Sequence, residues 1–501
     1  SNFPTNLNSV KDPQQLASLG RELPNTWTAS TATAAPDQRF GLLIAHRFGK
    51  EDAQNRYGNG TAIDLSNTSE TYTSTNYTYN SYNAATQKSD TIYHYLDNEN
   101  IRSAQLGVMS NWSALIGSNT KLEFRNLFDQ LGDNETTART GQNLEENFDV
   151  RNFAYHYTQR TLYSGQLHGS HDLRKDRMQL DWTLGYGRAL SKEPDFRRVE
   201  TVRNIGANDA PYQVVIPPSA STLDAGRFNS DLDESTYTGK LDLSQKFGKA
   251  DAKITGTLRA GAMTERKDRD FAARWMSFKK TNTGQFDQAL GKLPLADIFA
   301  TDNINATTGF KLDEGTNPSD SYTAANTLFA GYAGTTVNVA KLFIISGGVR
   351  VEDNRQQLNS ATYGADKIVV DNPITSALPS VNASWNISEK SLVRAAWSNT
   401  VNRPEFRELA PFSFYDFSSN NVLYGNPDLT TATISNLDAR WEMYPSLSDV
   451  VSVGVFEKSF TNPIEMFFVP CAGSGGPRNF TFNNSEKTVS ISSDFEVRRS
   501  F

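Results

Sequence analysis

Stretches whose apolar residues recur at every second position run the length of this chain, and polar connectors of unequal length separate them. In the clearest, Met178, Leu180, Trp182, Leu184 and Tyr186 interleave with Gln179, Asp181, Thr183, Gly185 and Gly187. Period-two alternation marks a β-strand with one apolar and one polar surround. The polar partners are mostly Gly, Thr, Asn, Asp and Arg, which suit a wet interior. Strands apolar outside and polar inside, repeated many times, predict an all-β fold: an antiparallel transmembrane β-barrel with short periplasmic turns and long extracellular loops.

Composition agrees. The chain of 501 residues is 37% hydrophobic, with a mean hydropathy of −0.54. It contains no apolar run of about eighteen residues, so no transmembrane helix is expected. A barrel needs only alternate residues of each strand to be apolar. A net charge of −7 supplies no basic stripe for phosphates, which excludes nucleic acid as a partner. The single Cys471 cannot form an intrachain disulfide, the five histidines are scattered, and neither a metal site nor a cofactor is expected. No G-x-S-x-G element appears and the acidic pairs are loosely spaced, so the chain does not read as an enzyme.

Residues 1–36 read as an irregular lead-in and 37–501 as the barrel. One face collects Phe40, Leu42, Ile44, His46 and Phe48; then Leu106, Val108, Trp112, Ala114 and Ile116; then Leu122, Phe124 and Phe128. Later faces hold Phe343, Ile345, Val349 and Val351; Val393, Ala395 and Trp397; Leu437, Ala439, Trp441 and Met443; and Val451, Val453 and Val455. Tight turns are expected at Gly117-Ser118-Asn119-Thr120 and Gly248-Lys249-Ala250-Asp251. The count is fourteen strands, with seven long connectors (51–100, 131–152, 191–233, 273–320, 354–374, 403–430 and 463–483) alternating with six short ones. A soluble propeller or sandwich is the alternative, but nothing in either forces that alternation, and no blade repeat is visible.

The segment Asn402-Arg403-Pro404-Glu405-Phe406-Arg407-Glu408-Leu409-Ala410-Pro411-Phe412, with Tyr415-Asp416 and Gly425-Asn426-Pro427-Asp428-Leu429, resembles TonB-dependent outer-membrane receptors, most closely those of Bacteroidota type. Asp438 to Ser446, Val451 to Phe456 and Asn462-Pro463-Ile464-Glu465 extend the resemblance, and Leu19 to Trp27 is similar to the segment leading from plug to first barrel strand. The resemblance implies a plugged barrel of about 22 strands. It also implies a TonB complex acting through the plug, surrounding outer-membrane lipid in a Gram-negative cell, and a surface lipoprotein as a further partner. Against that pattern, no plug and no TonB box are expected ahead of residue 1, and Ser493 to Phe501 is similar to a family strand followed by others. The expectation is therefore a partial barrel lacking plug and last strands.

What it implies for function is import of a scarce nutrient (siderophore, cobalamin, oligosaccharide or peptide), without chemistry on the cargo. A passive porin-like channel and a soluble β-rich binding or adhesion protein stand as alternatives. Candidate ligand contacts are Arg403, Glu405, Arg407, Tyr415, Asp416 and Trp275. Arg403, Glu405, Arg407 and Glu408 read either as an interlocked charge cluster fixing the loop or as groups facing the lumen. Phe412, Phe414, Tyr415, Phe417 and Tyr424 either pack the barrel rim or stack on sugar rings. The Tyr-rich tract 72–82 and Trp275 are expected on recognition loops. Asp97-Asn98-Glu99-Asn100 reads as a solvated polar stretch at a loop end rather than a calcium loop.

Overall fold

The computed structural model describes residues 3–49, 54–174, 177–249, 252–281, 285–446, 448–470 and 477–499, and of residues 74–77 the backbone alone. Cys471, Phe501 and the Ala250-Asp251 step of one expected turn lie outside the described residues.

Fifteen long strands follow one another around a single antiparallel sheet. They are β1 (Gln38–Phe48), β2 (Arg56–Asn83), β3 (Lys88–Ile116), β4 (Thr120–Asn143), β5 (Phe148–Asp172), β6 (Met178–Val199), β7 (Gly226–Phe247) and β8 (Ile254–Lys280). Then come β9 (Ser321–Val339), β10 (Phe343–Ala361), β11 (Lys367–Ser388), β12 (Ser391–Asn402), β13 (Ala432–Met443), β14 (Val450–Thr461) and β15 (Lys487–Arg498). Each pairs with its sequence neighbours; β1 and β15 are paired along one edge only, and no ladder joins them among the described residues.

Register carries the apolar sets onto one continuous face. Leu42 lies opposite Ile63, Ile63 opposite Val108, and Trp112 opposite Phe124. The series continues through Leu167 and Leu184, Trp182 and Leu241, and Ala262 and Gly331. It closes through Val351 and Ala377, Trp385 and Val393, Trp441 and Val453, and Phe495. These residues stand exposed in large numbers, Leu184 at 57% and Leu258 at 53%. A face so apolar and so open is a lipid-facing belt. The alternative of two stacked sheets sealing these residues is thereby overturned. Above the belt the same face turns to ion pairs, Arg188–Asp233 and Arg355–Asp371, each at 2.6 Å.

The opposite face is polar. Near the short-turn end Arg440 reaches Glu442 at 3.0 Å, Asp494 at 3.1 Å and Glu496 at 3.3 Å, a charged ladder on the inner face. Leu184→Arg, near the middle of the belt, is expected to cost about 2–4 kcal/mol. Thr238→Arg on the polar face is expected to change stability by under about 1 kcal/mol. Urea titration of both variants in detergent, read by heat-modifiable gel mobility, checks this; equal losses would overturn the face assignment.

The structure corrects the strand count. The polar tract 51–100 is not a loop but β2 and the first half of β3, and 131–152 and 354–374 contain only the tips 144–147 and 362–366. A strand of 28 residues extends about 90 Å, whereas crossing the bilayer takes about 9–11 residues. Most of β2 therefore stands in water on both faces, where nothing enforces alternation. At one end of the sheet all seven connectors are short, where six were expected; at the other, the tight tips 84–87, 144–147 and 362–366 accompany four long segments, 200–225, 281–320, 403–431 and 462–486.

The lead-in is not irregular throughout. Pro13–Glu22 forms a helix, α1, capped by the Asp12 side chain accepting from the Gln14 amide. Leu16, Ala17 and Leu19 bury with Trp27, Met276, Phe278, Ile298 and Phe310. Met276 and Phe278 share the alternation phase of the belt, so this core covers the outward face above it.

Candidate functional site

The segment after β12 folds back onto the polar face. Phe406, Leu409, Ala410 and Leu429 bury against Tyr322, Ala324, Leu358 and Val370, which point inward from β9, β10 and β11. The Gln356 side-chain amide donates to the Pro404 carbonyl at 2.9 Å. A Cβ on Gly425 would stand 2.2 Å from the Ala410 carbonyl oxygen, so only glycine lets this turn close on the helical turn Phe406–Leu409. Beyond it Ser413–Asp416 and Asn421–Tyr424 pair with Arg478–Asn484 and Ile464–Val469 in a small four-stranded sheet. The loop motif thus builds a second layer inside the bore.

The sequence-derived candidates separate into distinct roles. Arg403 donates to Glu352 at 2.6 Å, and Arg350 holds the other carboxylate oxygen. Glu405 and Glu408 form a capping box. Arg407 stacks on Phe414, 4.4 Å from its centroid. An interlocked cluster of all four is therefore not what forms. The Asp416 carboxylate accepts from the Ser418 amide and the Ser419 hydroxyl, shaping its own turn. Trp275 lies on β8 rather than on a loop, and Tyr72 and Tyr82 on β2.

Tyr415 and Trp275 do come together. Both line a cavity of about 510 Å³, with Phe196, Phe228, Phe412, Phe414, Asp320 and Arg198. Phe196 faces Phe228 across β6 and β7, and Phe228 faces Trp275 across β7 and β8, giving a row of three rings. Trp275 donates to Asp320 at 2.8 Å.

Phe196 and Arg198 reach this cavity through a bulge. In β6 the even-numbered residues point outward as far as Arg188. Between Glu193 and Phe196 the register with β7 shifts by one, with Asp195 at φ 55° and its amide held by Asn229 at 2.9 Å. A one-residue insertion exchanges the two faces. Phe196 and Arg198 therefore turn inward. Sequence reasoning assigned 191–233 to a connector and missed them; the only signal was Pro194-Asp195 inside an otherwise strand-like run.

A second cavity of about 360 Å³ lies on the other side of Tyr415, lined by Arg139, Glu146, Glu200 and Asp224 among others. Burial, with the nearby charges of Asp224 and Glu146, pushes the Glu200 carboxyl up to about 8. Burial likewise raises Asp224 and Glu146. Among the described residues no group of three or more His, Cys, Asp or Glu is placed to hold a metal ion. Asp97, expected to be solvated, is wholly buried and grips Arg139 through both oxygens, at 2.8 and 2.7 Å.

Residues 179–492 match the family described as TonB dependent receptor-like, beta-barrel. Among solved structures, the ferric-catecholate import receptor Fiu of Escherichia coli K12 superposes with a TM-score of 0.50 at 12% identity, over 91% of this chain and 61% of that one. The Serratia marcescens hemophore receptor HasR gives 0.48 at 12% identity, over 92% and 61%. The siderophore receptor PirA of Pseudomonas aeruginosa gives 0.47 at 11%, over 93% and 64%. The chain spans about three fifths of the length of these structures. No curated protein matches its sequence.

Proposed function

This chain belongs to the TonB-dependent receptor β-barrel family, and from that premise we propose that it forms the wall and inner loops of a receptor importing a scarce nutrient by TonB-coupled transport. Outer-membrane placement follows from the family and fits the continuous belt. The observation that supports active import over a passive channel is the occupied bore. The loop 403–431 and the strand Arg478–Asn484 build a second sheet against the inner wall, where an open diffusion pore would keep a clear path. In this reading a plug couples the receptor to the TonB complex, and a surface lipoprotein hands over cargo. Siderophore, cobalamin, oligosaccharide and peptide are all cargo this architecture can serve.

The test is uptake by cells expressing the full gene, against a deletion strain, with and without a proton uncoupler. Coupled import predicts growth on the limiting nutrient that the deletion abolishes and that the uncoupler stops. Uptake that persists under the uncoupler identifies a passive channel instead.

A further inference from the structure

We propose that Arg198 is the anion-binding group of a ligand subsite in the 510 Å³ cavity, and that the ligand it selects is a ring bearing one carboxylate. The proposal deepens the import reading and rests on it for the meaning of the bore.

Arg198 is 2% exposed. Among the described residues its side chain forms no ion pair and no hydrogen bond, and its Nε is buried without a partner. Burying an unpaired charge is costly, and buried guanidinium groups are ordinarily matched by a carboxylate. The acid whose charge acts on it, Glu193, forms no ion pair with it and is already engaged by His156 at 2.8 Å and Ser230 at 3.0 Å. Opposite Arg198 in the ladder stands Gly226, which carries no side chain that could pair with it. What surrounds the guanidinium is aromatic: Phe196 at 4.6 Å, Tyr415 at 5.2 Å and Phe228 at 5.9 Å. Those rings hold its plane without satisfying its donors.

A planar fork of donors in a dry setting matches a carboxylate in two parallel hydrogen bonds. The Phe196–Phe228–Trp275 row beside it offers flat faces to a ring. At the cavity's Trp275 side Asp320 accepts from the indole and from the Asn317 amide. A second anionic group there would meet that carboxylate, which is why one charge is specified. Ring acids of two kinds share this chemistry, arene carboxylates and sugar acids.

The experiment is calorimetric titration of the full-length receptor in detergent with two matched pairs: benzoate against benzamide, and glucuronate against glucose. The expected result is that at least one acid binds about tenfold or more tightly than its neutral partner. The pair that discriminates identifies the kind of ring. Arg198→Gln should remove the preference, while Arg355→Gln on the outer face keeps it. If neither acid outbinds its partner in the unaltered receptor, the proposal fails whether or not the Gln variant folds. Preference retained by a folded Arg198→Gln receptor overturns it equally. Because binding is read in detergent, an uncoupler-insensitive uptake result would sink active import and leave this measurement standing.

Discussion

Asp97→Ala is expected to destabilise the folded receptor by about 3–5 kcal/mol, the range for stranding one partner of a buried ion pair. Arg139, 2% exposed, keeps its position through both Asp97 oxygens. The same guanidinium donates to the Ser418 carbonyl at 2.8 Å and lies over Phe417, 4.4 Å from its centroid. One buried pair on the inner wall thus ties down the tip of the loop that follows β12. Without the carboxylate the cation stays desolvated and the loop loses its anchor. Denaturant midpoints should fall, and limited proteolysis should open new cuts within 403–431. Replacing both partners by apolar residues (Asp97→Leu with Arg139→Met) should return most of the stability, yet the loop should remain cleavable because Ser418 has lost its donor. A single-variant loss under about 1 kcal/mol, with the loop still protected, would contradict this account.

The belt was legible because lipid meets only one face of each strand. Where that asymmetry holds, as from Met178 to Tyr186 or Val451 to Val455, alternation is strict and register confirms it. Above the belt water bathes both faces, so Thr71, Thr73 and their neighbours carry no periodic signal although they sit in β2. This is why β2 escaped detection and why long strands looked like long loops. The loop motif at 402–429 was legible as a motif, but its roles were not. Arg403 pairs with a residue 51 positions away, and a glycine's close approach to a carbonyl leaves no trace in a linear reading. Arg198 was hidden for a different reason: a single extra residue at the bulge reverses the faces, and alternation extrapolated from Tyr186 sends it to the wrong side.

Raising the pH from about 5 to about 9 is expected to weaken the extracellular end of the barrel, and Glu200→Gln should flatten that dependence. Glu200 follows β6 directly, well above the belt, and its carboxyl is pushed up to about 8 by burial and by Asp224 and Glu146. In the unfolded chain a glutamate titrates near about 4.3. Between those values the folded state holds a proton that the unfolded chain has released. Stability from this site is therefore fully present below the unfolded value and is lost as pH rises through about 8. The raised groups around it act in the same direction: Asp224, which accepts from Ser221 at 3.1 Å, and Glu146, which accepts from Asn143 at 3.1 Å. Arg139 and Tyr415 line the same cavity, and neither changes charge across this range. A tenfold difference in proton affinity between folded and unfolded chains is worth about 1.4 kcal/mol. With the proton shared between Glu200 and Asp224, stability should fall steadily from about pH 5 to about pH 9, and the fall should be smaller in the Gln variant. Unfolding midpoints at about pH 5, 7 and 9 in one detergent, for both proteins, isolate the effect because the histidines contribute equally to each. Parallel curves for the two would show that Glu200 holds no proton in the folded receptor.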